Sequence, residues 1–328
     1  MMVPESSPAQ RRVRAAVVGV LLFVLALVVW RNAWLGDDAY VSFRAAENLI
    51  EGYGLRWNVA ERVQAFTNPL WTLVVASAAL FTGEFYYTPL VLGLVATMGT
   101  AVLVVRQAAG AWAAAAGIAL LIASRAFVDY STSGLENALG HLLLAGFLVV
   151  VLRGAPVGRR LFLASGLAAL LMVNRMDMLL IVAPVLVWSV VRSPARGRAL
   201  VTVALGMTPF VAWVSFAVIY YGFPFPNTAY AKLGAGVPAA DVWAQGFRYV
   251  VNFVQQDTLA FATLVAGVGA AVWSRRAMPV AVALGAVAYV VYVVSVGGDF
   301  MRGRFFTLPL LASVVLLVHV AGERRPRW

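Results

Sequence analysis

The chain consists of a series of long apolar runs separated by short polar turns. An apolar stretch of about 20 residues can cross a lipid bilayer as a helix, whereas the helices of soluble proteins usually carry a polar face. The pattern therefore predicts an all-α polytopic membrane protein with about ten transmembrane helices. The predicted spans are 15–30, 88–105, 110–123, 136–152, 161–173, 178–191, 199–221, 258–273, 278–296 and 304–320.

Basic residues are concentrated in alternate turns of this pattern. The first run follows Arg11, Arg12 and Arg14 and has no clear cleavage site at its end, which predicts a signal anchor with a cytoplasmic N-terminus. Each pair of neighbouring basic clusters brackets two runs, so the positive-inside rule places all of the clusters in the cytoplasm. The later clusters are Arg106; Arg153, Arg159 and Arg160; Arg192, Arg196 and Arg198; Arg275 and Arg276; and Arg324, Arg325 and Arg327.

This alternation predicts the organisation of the whole chain. Residues 1–14 form a cytoplasmic segment, 15–320 a transmembrane domain and 321–328 a basic, cytoplasmic tail. The predicted outer segments are a first loop at 34–87, a long loop at 222–257, and short turns at 124–135, 174–177 and 297–303. The apolar stretch 68–82 is shorter than a usual span, and counting it as one would reverse every later cluster. We therefore expect a juxtamembrane helix there, opened by Asn68 and Pro69, with Trp71 at the membrane interface.

Composition narrows the class of protein further. Hydrophobic residues make up 62% of the 328 residues and charged residues 12%, with a mean hydropathy of +0.86, which excludes a water-soluble globule. The net charge of +11 sits in the short turns rather than on one soluble face, so it reports membrane orientation and anionic lipid rather than nucleic-acid binding. The absence of cysteine excludes disulfides, thiolate metal sites and cysteine nucleophiles.

Charged residues outside the basic clusters converge on the predicted outer side. Charge near membrane depth is costly and usually marks a pathway or a site, and carboxylates beside arginines suit an anionic, amphipathic substrate. The candidates from this pattern are Asp37, Asp38, Arg44, Asp129, Glu136, Arg175, Asp177, Lys232, Asp299, Arg302 and Arg304. Arg175 and Asp177 could equally form a self-satisfied ion pair, and Glu136 could be an ordinary acid in the first turn of a helix.

The acidic pair Asp37 and Asp38 opens the segment DDAYVSFRAAENLIEG, in which Tyr40, Phe43 and Glu47 recur at helical spacing. An aspartate before a helix is a good N-cap, and acidic residues there suit the helix dipole. The alternative is that one aspartate caps the helix while the other binds a ligand or transfers a proton. Spacing alone leaves both readings open.

Six strings together resemble a known family. They are GDDAYVSFRAAENL, GLRWNVAERVQAFTNPLW, STSGLENAL, NRMDMLL, FPFPNTAYAKLG and GGDFMRGRFF. With the acidic pair after the first span and the long first outer loop, they resemble the GT-C glycosyltransferases, which take sugars from polyprenyl-phosphate carriers. They are most similar to the transmembrane half of the mycobacterial terminal β-(1→2) arabinofuranosyltransferases, over about residues 30–310 and in the same order.

The resemblance implies a GT-C-like bundle and a polytopic enzyme of the cell membrane. Such an enzyme moves a sugar to a cell-envelope glycan on the outer face, and the arabinofuranosyltransferases indicate that the sugar is arabinofuranose. It makes Asp37 the essential carboxylate, with Asp38 beside it, and places the second-loop acid at Asp129 or Glu136. It assigns the lipid phosphate to Lys232, Arg302 and Arg304. Asn227 and Tyr230, in the string that contains Lys232, join them as substrate-binding candidates.

The same resemblance bears on mechanism and partners. A phosphodiester can leave as an anion neutralised by Lys or Arg, so no metal is required in principle, although the acidic pair is compatible with Mg²⁺ or Mn²⁺ or with a double displacement. The arabinofuranosyltransferases carry a soluble outer domain after their spans, whereas this sequence ends in a basic tail, so a soluble partner that supplies such a domain is one possibility. The two alternatives are a lipid-linked sugar transporter or flippase and an inactive assembly partner of a full-length transferase.

Overall fold

A computed structural model describes residues 8–233 and 236–321 of the chain. Within that part all regular structure is helical, as the apolar pattern predicts. The α-helices are α1 (Pro8–Arg31), α2 (Asp37–Ile50), α3 (Pro69–Thr82), α4 (Tyr87–Gln107), α5 (Ala111–Ala123), α6 (Arg125–Asp129), α7 (Asn137–Val151), α8 (Arg159–Asn174), α9 (Leu179–Val191), α10 (Arg196–Gly206), α11 (Thr208–Tyr221), α12 (Asn227–Leu233), α13 (Ala239–Gln256), α14 (Thr258–Ser274), α15 (Ala277–Ser295) and α16 (Thr307–Val320). Short 3₁₀ turns at Met176–Met178 and Arg304–Phe306 precede α9 and α16.

The helices differ in their capacity to cross a bilayer. In the described part of the chain, three are long and apolar enough to span: Arg12–Arg31, Tyr87–Gln107 and Ala277–Ser295. Two bent pairs, α10 with α11 and α13 with α14, would raise the number to five if each pair were one span. Other apolar helices, such as α5 and α7, are shorter than a usual span. The length criterion therefore gives three to five spans, and the expected number of about ten is not confirmed.

Helix α16 is the centre of the bundle. Every residue from Thr307 to Leu316 is buried, and α16 packs against α5, α7, α14 and α15. Small residues permit close approach: Gly267 of α14 lies directly against Ser313, and Gly285 of α15 lies directly against the Ile181 backbone of α9. Close packing of small residues is typical of helices that associate in membranes, because the hydrophobic effect offers little drive between helices in lipid.

The segment predicted to be the first outer loop, 34–87, contains both helices expected there. Helix α2 begins at Asp37, one residue after its N-cap Gly36, and α3 begins at Pro69 after Asn68. The expectation that Trp71 is an interfacial aromatic is wrong. Its side chain is 1% exposed, and its indole Nε1 donates to the Gly134 carbonyl oxygen at 2.7 Å. The buried indole is hydrogen-bonded to a backbone acceptor in a turn far away in the sequence, and residue spacing within α3 could not indicate this contact.

The loop predicted at 222–257 is largely helical. It contains α12 and the longer α13, and the chain then bends by 108° into α14. Asp257 lies at the bend and caps α14 by accepting from the Ala260 N–H at 3.3 Å. The same carboxylate accepts from Ser124 Oγ at 2.8 Å, which ties the bend to α6. The predicted terminal segments extend beyond the described residues, which exclude 1–7 and 322–328.

Candidate active site

Glu136 is the centre of a buried charge cluster. Its carboxylate is 1% exposed and lies at the N-cap position of α7. Arg304 Nη2 donates to its Oε1 at 2.9 Å and its Oε2 at 3.2 Å, and Arg175 Nη1 donates to Oε1 at 3.0 Å. Two guanidinium groups from distant segments therefore share one carboxylate. Glu136 is thus the shared partner of two buried ion pairs and not simply an acid at the start of a helix.

Further side chains complete the coordination of the two arginines. Asp177 accepts from Arg175 Nε at 2.9 Å, and Asp299 lies 3.5 Å from Arg304 Nη1. The Arg175 guanidinium also lies over the Phe305 ring, 4.1 Å from its centroid. The ion pair suggested by the sequence between Arg175 and Asp177 is present, and it is part of a larger network that includes Glu136 and Arg304.

The electrostatics of the cluster keep Glu136 ionised. Burial alone would raise the pKa of Glu136, but Arg304 and Arg175, helped by the Asn68 hydrogen bond, lower it to about 2. The pKa of Arg175 is raised well above its ordinary value: burial opposes this, but the Asp177 and Glu136 carboxylates outweigh it. Every charge in the cluster is paired, which is the condition under which buried ions are tolerated.

A hydrogen-bond chain joins this cluster to α2. Asn68 Nδ2 donates to Glu136 Oε2 at 2.9 Å, and Asn68 Oδ1 accepts from Ser42 Oγ at 2.8 Å. The Gly36 N–H also donates to the Ser133 carbonyl oxygen at 2.9 Å, just before Asp37. The start of α2 is thus fixed against the turn that carries Glu136.

The acidic pair lies at the open side of this assembly. Asp37 and Asp38 are both exposed in the first turn of α2, and the Asp38 N–H donates to Asp37 Oδ1 at 2.9 Å. Gly36, rather than either aspartate, occupies the N-cap, so the capping interpretation is wrong for both residues. The helix dipole still favours negative charge there.

Asp37 lines a cleft of about 470 Å³. Arg44 and Glu47, about two and three helical turns further along α2, share its wall with the aromatic residues Tyr40, Phe43, Trp57 and Phe85. Arg44 is held in place, because its Nε donates to the Trp57 carbonyl oxygen at 2.9 Å and its guanidinium lies 5.0 Å from the centre of the Trp57 ring. A carboxylate, a cation and aromatic rings in one open cleft suit a polar ring such as a sugar.

A second cavity, of about 210 Å³, lies beside the exposed Arg302. Arg125 and Asp129 from α6 line it together with Trp34, and the Trp34 Nε1 donates to the Asp129 carbonyl oxygen at 2.8 Å. Burial raises the pKa of Asp129, opposed by Arg125 and reinforced by Asp257. Asp129 therefore lines this cavity, whereas Glu136, the other candidate for the second-loop acid, is buried in the charge cluster.

The remaining candidates lie in α12. The Asn227 N–H donates to the Gln64 carbonyl oxygen at 3.1 Å, which attaches α12 to the segment between α2 and α3. The Tyr230 ring is exposed and lies near Phe223 and Phe225. Lys232 belongs to the same helix, but its side chain is outside the part of the chain that the structure describes.

Sequence reasoning missed the neutral members of the cluster. Ser42, Asn68 and Asn137 are polar residues within mainly apolar segments, and Asn137 Oδ1 accepts from Arg304 Nε at 3.3 Å. Buried polar side chains were the available signal, because they require partners. As for metals, the described residues contain no group of three or more His, Cys, Asp or Glu side chains arranged to hold an ion.

Two curated relatives resemble the chain. The terminal β-(1→2)-arabinofuranosyltransferase of Mycobacterium tuberculosis is 29% identical over 86% of this chain, and that of Corynebacterium glutamicum is 27% identical over 87%. These alignments cover 51% and 48% of the relatives, so the chain spans about half the length of the curated proteins it matches. No protein-family profile matches it.

Two solved structures share the fold. Both are crystal structures of ArnT from Cupriavidus metallidurans, one bound to undecaprenyl phosphate and one in the apo state. The TM-scores are 0.68 and 0.66, over 96% and 94% of this chain and 60% of ArnT, at 14% and 17% identity. The expected GT-C-like fold is confirmed, and together with the apolar helices it identifies a membrane protein.

Proposed function

We propose that the chain is a membrane glycosyltransferase that moves a sugar, arabinofuranose, from a polyprenyl-phosphate donor to a cell-envelope glycan on the outer face of the membrane. The supporting observation is the cleft along α2, which the exposed Asp37 lines together with Arg44 and aromatic rings. The arabinofuranosyltransferase relatives favour the sugar, and the ArnT structure with undecaprenyl phosphate favours the class of carrier.

Asp37 acts as the general base in this proposal. An acceptor hydroxyl oxygen attacks the anomeric carbon, the bond from that carbon to the phosphate oxygen breaks with its electron pair remaining on the phosphate, and the hydroxyl proton passes to Asp37. The released polyprenyl phosphate is a stable anion. Asp38, the next residue, adds a second negative charge in the first turn of α2. A single displacement of this kind inverts the anomeric configuration.

The donor phosphate is assigned to the exposed basic residues. Arg302 lines the second cavity, near Trp34, which precedes the acidic pair by three residues. Arg304 donates hydrogen bonds to Glu136 and Asn137 inside the protein, so its role is to position the loop that carries Arg302. Lys232, in α12, is the other phosphate-binding candidate.

The test is an activity assay on the purified full chain. We expect the protein in lipid nanodiscs to extend a short arabinan acceptor from synthetic polyprenyl-phosphoryl arabinose, and the Asp37→Asn variant to extend it far more slowly. Movement of the lipid-linked sugar across a bilayer without chain extension would favour the flippase alternative. Absence of both activities would favour an inactive partner of a full-length transferase.

A further inference from the structure

Helix α13 presents three different faces. Its inner face, which includes Gly246, Tyr249 and Phe253, is buried against the bundle. A polar stripe follows the spacing of Asp241, Gln245, Arg248 and Asn252. The third face is apolar and exposed: Trp243, Phe247 and Val251 recur every four residues with 41%, 59% and 54% of their surface accessible. Such a stripe opposite a polar one is typical of a helix that lies in a membrane interface.

The orientation of α13 agrees with that location. It meets α14 at 108°, and α14 belongs to a predicted span. If α14 crosses the bilayer, α13 lies along its surface, with the polar stripe towards water and the apolar stripe towards lipid. Tryptophan is enriched at this depth because its ring is apolar while its N–H is polar. The occupant of the apolar stripe is therefore bilayer lipid rather than another protein.

The inner face of α13 holds the loop that carries Arg302. Tyr249 Oη donates to the Met301 carbonyl oxygen at 3.0 Å and accepts from the Phe305 N–H at 3.3 Å. The Tyr249 ring also stacks on Phe306, with centroids 5.0 Å apart. Gly298 has φ +73°, and a Cβ there would lie 2.5 Å from Tyr249 Cγ, so only glycine lets the loop pass this close. One phenol thus bridges both ends of the segment containing Arg302 and Arg304.

We propose that α13 is a lipid-docked helix that couples the bilayer surface to the arginine loop at 297–304, with Tyr249 as the positioning residue. Lipid contact at Trp243 and Phe247 fixes the helix, and the inner face then fixes the loop. The consequence for donor phosphate binding rests on the proposed function; the docking and the coupling do not.

The docking is tested with single cysteines, because the chain contains none of its own. Nitroxide labels at positions 247, 251 and 245 are compared in proteoliposomes of phosphatidylethanolamine and phosphatidylglycerol. We expect the labels at 247 and 251 to collide preferentially with oxygen, which partitions into lipid, and the label at 245 with a water-soluble nickel chelate. Equal access of the chelate to all three positions would overturn the docking.

The coupling is tested with a nitroxide at position 300, which is exposed within the arginine loop. We expect Tyr249→Phe and Phe247→Gln each to shift its spectrum towards the mobile component. Phe81→Gln, at an exposed apolar position of α3, is the matched control and should leave the spectrum unchanged. An unchanged spectrum in both α13 variants would refute the coupling. Neither experiment requires donor or turnover, so the result is independent of whether the proposed activity is found.

Discussion

Arg304 and Glu136 form a nearly solvent-free ion pair, with the guanidinium Nη2 at 2.9 Å from Oε1 and 3.2 Å from Oε2 of the same carboxylate. The two residues are 168 positions apart in the chain, so the pair fastens the turn before α7 to the segment before α16. Both segments also border the residues assigned to catalysis and donor binding. The pair therefore holds together the two segments that border the proposed site.

Glu136→Gln should destabilise the protein strongly. The substitution keeps the shape but leaves Arg175 and Arg304 without their shared counter-charge, and breaking a buried pair in this way costs about 3–5 kcal/mol. The free energy of unfolding in detergent measures the effect. Glu51→Gln, at an exposed position, should change it little. Equal stability of the two variants would show that the cluster contributes nothing to folding.

The same carboxylate should give the fold a particular acid sensitivity. The pKa of Glu136 is lowered from its ordinary value of 4.5 to about 2, so its stabilising contribution is complete above the unfolded value. That contribution is lost as the pH falls from about 4.5 towards 2. We expect the stability difference between the wild type and Glu136→Gln to shrink across this range, as measured by unfolding at a series of pH values. A stability difference that stays constant with pH would contradict the conclusion that ionised Glu136 stabilises the fold.

Asp37→Asn should separate catalysis from folding. Asparagine keeps the shape of the side chain and loses the proton acceptor, so turnover should fall by roughly 10²–10⁴-fold while donor binding and stability persist. Asp38→Asn is the companion variant. A large loss at 37 with a modest loss at 38 assigns the base, whereas equal large losses indicate a coupled pair or a shared metal ion. Near-normal transfer by Asp37→Asn would refute its catalytic role.

Arg302→Gln and Arg304→Gln should have different consequences. Arg302 is exposed, so its loss should weaken donor binding by roughly ten- to a hundred-fold without destabilising the fold, as for one charge-assisted bond to phosphate. Arg304 is buried on Glu136, so its loss should lower the free energy of unfolding first. Donor affinity and unfolding measured on both variants distinguish the roles. Unchanged donor affinity in Arg302→Gln would mean that this side chain merely extends to the interface.

The topology can be measured by labelling single cysteines with an impermeant thiol reagent in intact cells. Position 61 in the first loop is expected outside, and positions 157 and 198 near the basic clusters are expected inside; all three side chains are exposed. Only the first should react before the cells are opened. Labelling at 157 or 198 in intact cells would reverse the orientation and remove the outer-face site.

Much of the fold was accessible from local patterns. The apolar runs predicted the helical class, the spacing of Tyr40 and Phe43 predicted α2, and Asn68-Pro69 marked the start of α3. These features depend on neighbouring residues and on the length of an apolar stretch. The number of spans was less accessible, because several helices are too short for the length rule and two pairs of consecutive helices are bent at a break.

The sequence by itself determined that this is an all-helical membrane protein, and it singled out Asp37, Asp38 and the scattered outer charges as candidates. Only the tertiary structure decided which charges meet: Glu136, Arg175 and Arg304 are paired inside, while Asp37 and Arg302 remain at open cavities. It also buried Trp71 and placed Tyr249 on the arginine loop. The physical reason is that burial and ion pairing depend on contacts between segments far apart in the chain, 39 residues for Arg175 and Glu136 and 168 for Arg304 and Glu136, whereas composition and periodicity report only what neighbouring residues do.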